Sequence, residues 1–195
     1  MKDIYSYQIG GKLYINLTNK CSNDCDFCVR KKPSYDGYYL WLTKEPTAEQ
    51  VIKSIKNAGE YSEFVFCGYG EPTYKFDELV EVAKYLKQFK KPIRLNTNGQ
   101  AQLILNKDVA KELAKWVDVV SISLNATSAQ NYQKICKSVY GERAFDAILD
   151  FAKKCSKAGI KTFMSIVDII GEEEIKKSEQ IAKSCGATLK IRELI

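Results

Sequence analysis

The chain has 195 residues, a net charge of +6, seven cysteines and no histidine, a length suited to one domain with a sizeable core. Without histidine, imidazole acid–base chemistry, Ser-His-Asp triads and zinc sites built on imidazole are excluded. The lysines are interleaved with acids along helix-like stretches, and no basic run or base-stacking motif points to nucleic acid.

Residues 1–7 lack the charged-then-apolar layout of a signal peptide, and no apolar run approaches the roughly 20 residues of a membrane span. With an odd number of cysteines, a reducing, cytoplasmic setting is expected. Residues 4–9 and 12–17 read as two strands around Gly10-Gly11, a hairpin. The second strand leads into Cys21, Cys25 and Cys28, spaced C-x3-C-x2-C. Thiolates so clustered hold a soft metal, either zinc or an iron–sulfur cluster. A closed site of either kind wants four protein ligands, and this loop supplies three; on a four-iron cluster, one iron would stay open to a small molecule. The loop continues into an aromatic stretch, Tyr35 to Leu42, which reads as a lid or as a covering of one end of the fold.

From Thr47 the pattern is regular. Thr47 and Gln50 read as a capping pair opening a helix that ends near Gly59. Strands follow at 62–67, 93–97, 118–124, 160–167 and 188–192, with helices at 76–89, 108–116, 143–158 and 172–185 between them. Leu79, Val80, Val82, Ala83 and Leu86 mark the buried side of the first of those four helices. This alternation implies parallel βαβ units, with six such strands following the short hairpin arm, in a doubly wound sheet or a partial barrel. No linker or repeat divides the chain: 1–195 reads as one domain, with 4–17 the hairpin, 18–32 the cysteine loop, 33–46 the aromatic segment and 47–195 the remaining units. In either architecture, ligands bind at the C-terminal ends of the strands.

Those ends carry polar residues. Residues 67–73 read Cys-Gly-Tyr-Gly-Glu-Pro-Thr, in which glycines admit close backbone approach and Glu71 can accept from an ammonium. Asn96-Thr97-Asn98-Gly99 is by itself a turn signal. Ser121, Ser123 and Asn125 share one strand face, opposite Ile122 and Leu124, and inward polar groups need a ligand, water or hydrogen-bond partner. Cys136, Cys155 and Cys185 are expected to pack in the core. Cys67 is expected to pack beside the strand end, with a fourth metal ligand or a reactive thiol as alternatives.

C-x3-C-x2-C with Phe27 before its last cysteine, followed at the next strand end by Gly-Tyr-Gly-Glu-Pro, resembles the signature of the radical S-adenosylmethionine (SAM) enzymes. The resemblance covers essentially the whole chain and implies a partial (β/α)6 barrel. It implies that Cys21, Cys25 and Cys28 hold a [4Fe-4S] cluster whose open iron chelates SAM. The reduced cluster then cleaves SAM to a 5′-deoxyadenosyl radical that abstracts hydrogen from substrate. By the same resemblance, Gly70 and Glu71 grip the methionyl amino group, and the backbone of Phe27 contacts adenine. Asn96 faces SAM or substrate, Ser123 and Asn125 meet the ribose and carboxylate, Val167 packs on adenine, and Asp168 faces substrate or caps the next helix. A one-electron donor such as flavodoxin or ferredoxin is the implied partner.

The sequence departs from the family pattern in four places. Gly-Tyr-Gly-Glu stands for Gly-Gly-Glu, Asn125 for an acid, and Asn96 for the Asp common in enzymes that activate glycyl-radical enzymes; residues after 164 match Gly-x-Ile-x-Gly-x-x-Glu only loosely. The short chain and the run 38–42 are most similar to the TatD-associated (TatD-linked) radical SAM proteins, which implies a functional association with a metal-dependent hydrolase and no particular reaction. Alternatives are a glycyl-radical activase, a ring-contracting enzyme of deazapurine synthesis, or a non-catalytic module in which Cys67 completes a four-thiolate zinc or iron–sulfur site.

Overall fold

Seven strands form one sheet in which order across the sheet equals order along the chain. The computed structural model describes residues 3–168 and 171–193. The strands are β1 (Ser6–Ile9), β2 (Lys12–Ile15), β3 (Phe64–Phe66), β4 (Ile93–Thr97), β5 (Val119–Ser123), β6 (Lys161–Val167) and β7 (Thr188–Arg192). β1 pairs antiparallel with β2, and β2 through β7 pair parallel. Gly10 and Gly11 turn the hairpin with φ of +53° and +75°, a left-handed pair that glycine adopts without steric cost. A doubly wound sheet reverses its strand order partway across; this one never does, so it winds in one direction as a partial barrel. The sixth parallel strand is β2 itself, so five strands, not six, follow the hairpin.

The helices are α1 (Ala48–Ser54), α2 (Phe76–Lys87), α3 (Ala101–Leu105), α4 (Ala110–Leu113), α5 (Ala129–Cys136), α6 (Arg143–Lys157) and α7 (Glu172–Ser184). Thr47 and Gln50 form the expected reciprocal cap of α1. That helix stops at Ser54 instead of near Gly59, because Ile55 is extended and Asn57 turns left-handed at φ 50°. The helix expected over 108–116 shortens to the single turn of α4. α3 and α5 were not foreseen. α3 is too short to show a period, and α5 buries only Tyr132 and Cys136 among polar neighbours, which dilutes its apolar stripe.

Alternation along the strands decides what each face does. One face, with Leu13, Ile15, Phe64, Phe66, Ile93, Leu95, Val120, Ile122, Met164 and Ile166, packs on Leu79, Val82 and Leu86 of α2 and on Ile148, Phe151 and Cys155 of α6. The opposite face points inward. No helix among the described residues is long and apolar enough to cross a membrane. Met1 and Lys2 of the N-terminal stretch, and Ile169 and Ile170 of the loosely matched stretch after β6, lie outside the described residues.

The aromatic segment is a pinned covering. Leu40 is fully buried against Tyr7 and Tyr69, and Trp41 meets Tyr69 edge-on at 5.4 Å. Asn16 Nδ2, just beyond β2, donates to the Leu40 carbonyl at 2.8 Å, and Asn19 brackets Leu42 by accepting from its N–H at 3.0 Å and donating to its carbonyl at 2.7 Å.

Candidate active site

Every parallel strand delivers residues to one cavity of 190 Å³ at the C-terminal end of the sheet. Cys21 enters from the loop after β2, Cys67, Gly70 and Glu71 from the end of β3, and Asn96, Thr97 and Asn98 from β4; Ser121 and Ser123 come from β5, Ser165 from β6 and Arg192 from β7. A larger groove of 690 Å³ lies against α2 and α4, where Asp77, Glu81, Lys84 and Glu112 give it a charged, solvent-open lining that no strand end reaches.

The cysteine loop is held from behind by α5 and the turn that follows it. Asp24 N–H donates to the Cys136 carbonyl (3.0 Å), Asp26 N–H to that of Ile135 (3.1 Å), and Val139 N–H to that of Ser22 (2.9 Å). A buried side-chain network reinforces these bonds. Tyr132 Oη accepts from Asn23 Nδ2 at 2.8 Å and from Gln100 Nε2 at 2.9 Å, Ser138 Oγ donates to Gln100 Oε1 at 2.9 Å, and Asn98 Nδ2 donates to Ser22 Oγ at 2.8 Å. Tyr132→Phe removes one acceptor from two buried donors and is expected to cost about 2 kcal/mol. Urea unfolding should show a lower midpoint at unchanged slope; an unaltered midpoint would mean that the network does not hold the loop.

Burial pushes the Cys21 thiol up to about 12, with the charge of Glu71 adding to the effect. The Cys25 thiol is raised by its hydrogen bond with Cys136 and by burial, and that of Cys28 by burial. These shifts favour the neutral thiols, so a metal bound here must displace their protons. Among the described residues, no three Cys, Asp or Glu side chains gather as one metal ion requires. Tetrahedral zinc with bonds of about 2.3 Å would bring its sulfurs to about 4 Å of each other. Three soft sulfur donors on one loop, with no histidine in the chain, are a donor set that suits an iron–sulfur cluster.

Glu71 ties β3 to β4. Its Oε1 accepts from Thr73 N–H (3.1 Å), Thr73 Oγ1 (2.8 Å) and Thr97 Oγ1 (2.8 Å), while among the described residues Oε2 accepts only from Asn98 N–H (2.6 Å). Burial pushes its pKa up and these four donors pull against that rise. Oε2 keeps a lone pair for a further donor, and Asn96 Oδ1, on the same wall, is buried without a partner among the described residues. The backbone beside Glu71 closes on the cysteine loop: Glu71 N–H donates to the Lys20 carbonyl at 2.7 Å, and a Cβ on Gly70 would meet Thr18 O at 2.3 Å.

Of the residues singled out in the sequence, Cys21, Gly70, Glu71, Asn96 and Ser123 share the cavity wall. Cys25 and Cys28 lie half-buried on the adjoining loop, and Phe27 packs at the margin of the core. Val167 is buried on the inward side of β6, two residues beyond Ser165 and off the cavity wall. Asn125 leaves the strand alternation: at φ 57° its Nδ2 donates to Cys136 Sγ (3.5 Å) and its Oδ1 accepts from Arg192 (3.3 Å). Asp168 is exposed, and α7 begins after Gly171 with no side-chain cap, so Asp168 does not cap it. Cys136, Cys155 and Cys185 are core residues, Cys136 abutting Cys25, and Cys67 lines the cavity beside the end of β3.

Arg192, Asn98, Ser165 and Tyr132 were missed. Only Arg192 had a usable signal, since alternation in β7 puts Thr188, Lys190 and Arg192 on one face.

Comparison with known proteins agrees with this geometry. The Radical SAM superfamily matches residues 15–182. A probable GTP 3',8-cyclase of Thermococcus kodakarensis is 27% identical over 186 residues, 93% of this chain and 56% of the relative. A putative glycyl-radical enzyme activating enzyme of Methanocaldococcus jannaschii is 22% identical over 85% of this chain and 66% of its own length. The chain thus spans between about half and two thirds of these curated relatives. Among solved structures, Streptococcus suis SuiB bound to precursor peptide SuiA superposes with a TM-score of 0.73 at 17% identity, covering 94% of this chain and 39% of that one.

Proposed function

Since the chain belongs to the radical SAM superfamily, whose members use a [4Fe-4S] cluster and SAM, we propose that it holds the cluster on Cys21, Cys25 and Cys28 and binds SAM across the strand ends to abstract hydrogen from a substrate. One observation carries the reading: the cysteine loop and the Gly70-Glu71 turn are joined by the Glu71–Lys20 backbone bond, so that Cys21 and Glu71 face one cavity. When bound, the cluster supplies the electron that cleaves SAM to the hydrogen-abstracting 5′-deoxyadenosyl radical.

The chain's own residues bind and orient. Glu71 Oε2, fixed by Asn98 N–H, has the lone pair that accepts an ammonium proton. Asn96 Oδ1 is an unused acceptor, and the hydroxyls of Ser121, Ser123 and Ser165 suit a ribose. The backbone of Phe27, beside Cys28, is the candidate adenine neighbour, while Val167, two residues beyond Ser165 on β6, lies off the cavity wall. The pinned aromatic segment keeps water from the hairpin side of the barrel. Seven free cysteines support a reducing, cytoplasmic setting, with a flavodoxin- or ferredoxin-type donor as partner.

Glu71→Gln tests this. The amide retains the carboxylate's shape and, with its oxygen toward Thr73 and Thr97, strands only the N–H of Asn98, whereas alanine would strand all of these donors. After anaerobic reconstitution the variant should hold as much iron and sulfide as the unchanged protein, and equilibrium dialysis should show SAM binding weakened roughly tenfold or more, the worth of a charge-assisted hydrogen bond. Unchanged SAM affinity would remove Glu71 from the assignment.

A further inference from the structure

β7 brings an arginine to the cavity that the roles assigned above leave unused. The acceptor found for the Arg192 guanidinium is Asn125 Oδ1, at 3.3 Å. Among the described residues it makes no ion pair, although twelve such pairs occur elsewhere in the fold. The carboxylate on the cavity wall, Glu71, is held by donors from β4 and from its own turn. A guanidinium presents five N–H donors in a planar fork that matches a carboxylate or phosphate. Among the described residues most of that fork is free: Arg192 is exposed to solvent where it lines the cavity, and the side chain meeting it is a neutral amide rather than a carboxylate. Asn125 is also fixed from its other end: its Nδ2 donates to Cys136 Sγ at 3.5 Å, and its backbone sits at φ 57°, in the left-handed region that Asn and Asp tolerate. The cavity therefore has two poles, an acidic one at Glu71 and a basic one at Arg192.

We propose that Arg192 is the anion-recognition residue of this cavity, taking a carboxylate or phosphate of the bound ligand on its guanidinium fork, and that the neutral Asn125 keeps that charge available. The inference deepens the radical SAM reading of the site and rests on it for the identity of the ligands. Two ligands could bring the anion: SAM, through its own carboxylate, or the substrate. If it is the substrate, its class is narrowed to carboxylates and phosphate esters.

The experiment is residue-resolved modification by phenylglyoxal, with Arg192 read by mass spectrometry, on reconstituted protein of counted iron and measured SAM affinity. The probes are SAM alone and inorganic pyrophosphate added over saturating SAM. Asn125→Asp is the informative variant, because Asp keeps the backbone conformation and the size but pairs with Arg192; Arg192→Met removes the fork. If SAM alone slows modification, and both variants weaken SAM binding roughly tenfold, the proposal stands with SAM as the source. If SAM leaves Arg192 reactive while pyrophosphate protects it, and that protection is lost in Asn125→Asp, it stands with the substrate as the source. If neither probe protects Arg192, or if Asn125→Asp is protected as well as the unchanged protein, it is overturned. Unchanged protein that loads iron yet binds no SAM would overturn the parent reading instead, and the pyrophosphate arm, run then without SAM, still decides for or against Arg192.

Discussion

Replacing any one of Cys21, Cys25 or Cys28 with alanine should reduce the iron retained after anaerobic reconstitution to background, while Cys155→Ala should retain the full complement. The three share one loop, anchored at several points to α5 and the turn after it, and on the proposed assignment each is one of only three protein ligands to the cluster. Cys155 is fully buried between α6 and the sheet, where it packs as a small apolar side chain. Cys67 and Cys136 make the test sharper. Cys67 faces the cavity and Cys136 abuts Cys25, so either is placed to be a ligand if the three-thiolate assignment is wrong. Cys67→Ala and Cys136→Ala should both keep their iron. Loss of iron in either, at unchanged circular dichroism, would point to a four-thiolate site closed to SAM, which is the binding-module alternative.

Gly70→Ala should be at least as damaging, for a different reason. A Cβ at this position would lie 2.3 Å from Thr18 O and 2.6 Å from Lys20 O, both backbone atoms of the chain entering the cysteine loop. No rotamer change relieves a clash between two backbones, so the turn must move away, and the 2.7 Å bond from Glu71 N–H to Lys20 O is lost with it. Overpacking of this kind costs about 3 kcal/mol. The variant should unfold at lower urea and, where still folded, bind SAM weakly, because Glu71 Oε2 no longer faces Cys21 across the cavity. A Gly70→Ala protein as stable as the unchanged one, with equal SAM affinity, would show that the close approach of turn and loop is not required.

What could be read from the sequence was what is local. The cysteine spacing, the Gly-Tyr-Gly-Glu turn, the Gly10-Gly11 hairpin and the capping pair Thr47–Gln50 each lie within a few residues and carry their own geometry. The longer helices, α2, α6 and α7, announce themselves by an apolar stripe. The polar interior of the barrel followed from alternation in β5, where Ser121 and Ser123 oppose Ile122. The rest is assembled over long distances: Asn23 meets Tyr132 across 109 positions, Asn98 meets Ser22 across 76, and Arg192 reaches Asn125 across 67. No local pattern encodes such pairings. Asn125 shows the limit of alternation, since it lies past the end of β5 with a left-handed backbone, and its side chain meets Cys136 and Arg192. The choice between a doubly wound sheet and a barrel was likewise closed to periodicity, because both use the same βαβ unit and differ only in which neighbour each strand selects.

The most direct test of the account is SAM cleavage by the reconstituted protein. After anaerobic loading with iron and sulfide and reduction with dithionite, iron is counted and 5′-deoxyadenosine is assayed chromatographically from added SAM. The account predicts about four irons per chain, with 5′-deoxyadenosine formed in the unchanged protein and absent in Cys28→Ala. Zinc held in a four-thiolate site, or a full cluster that neither binds nor cleaves SAM, would contradict it.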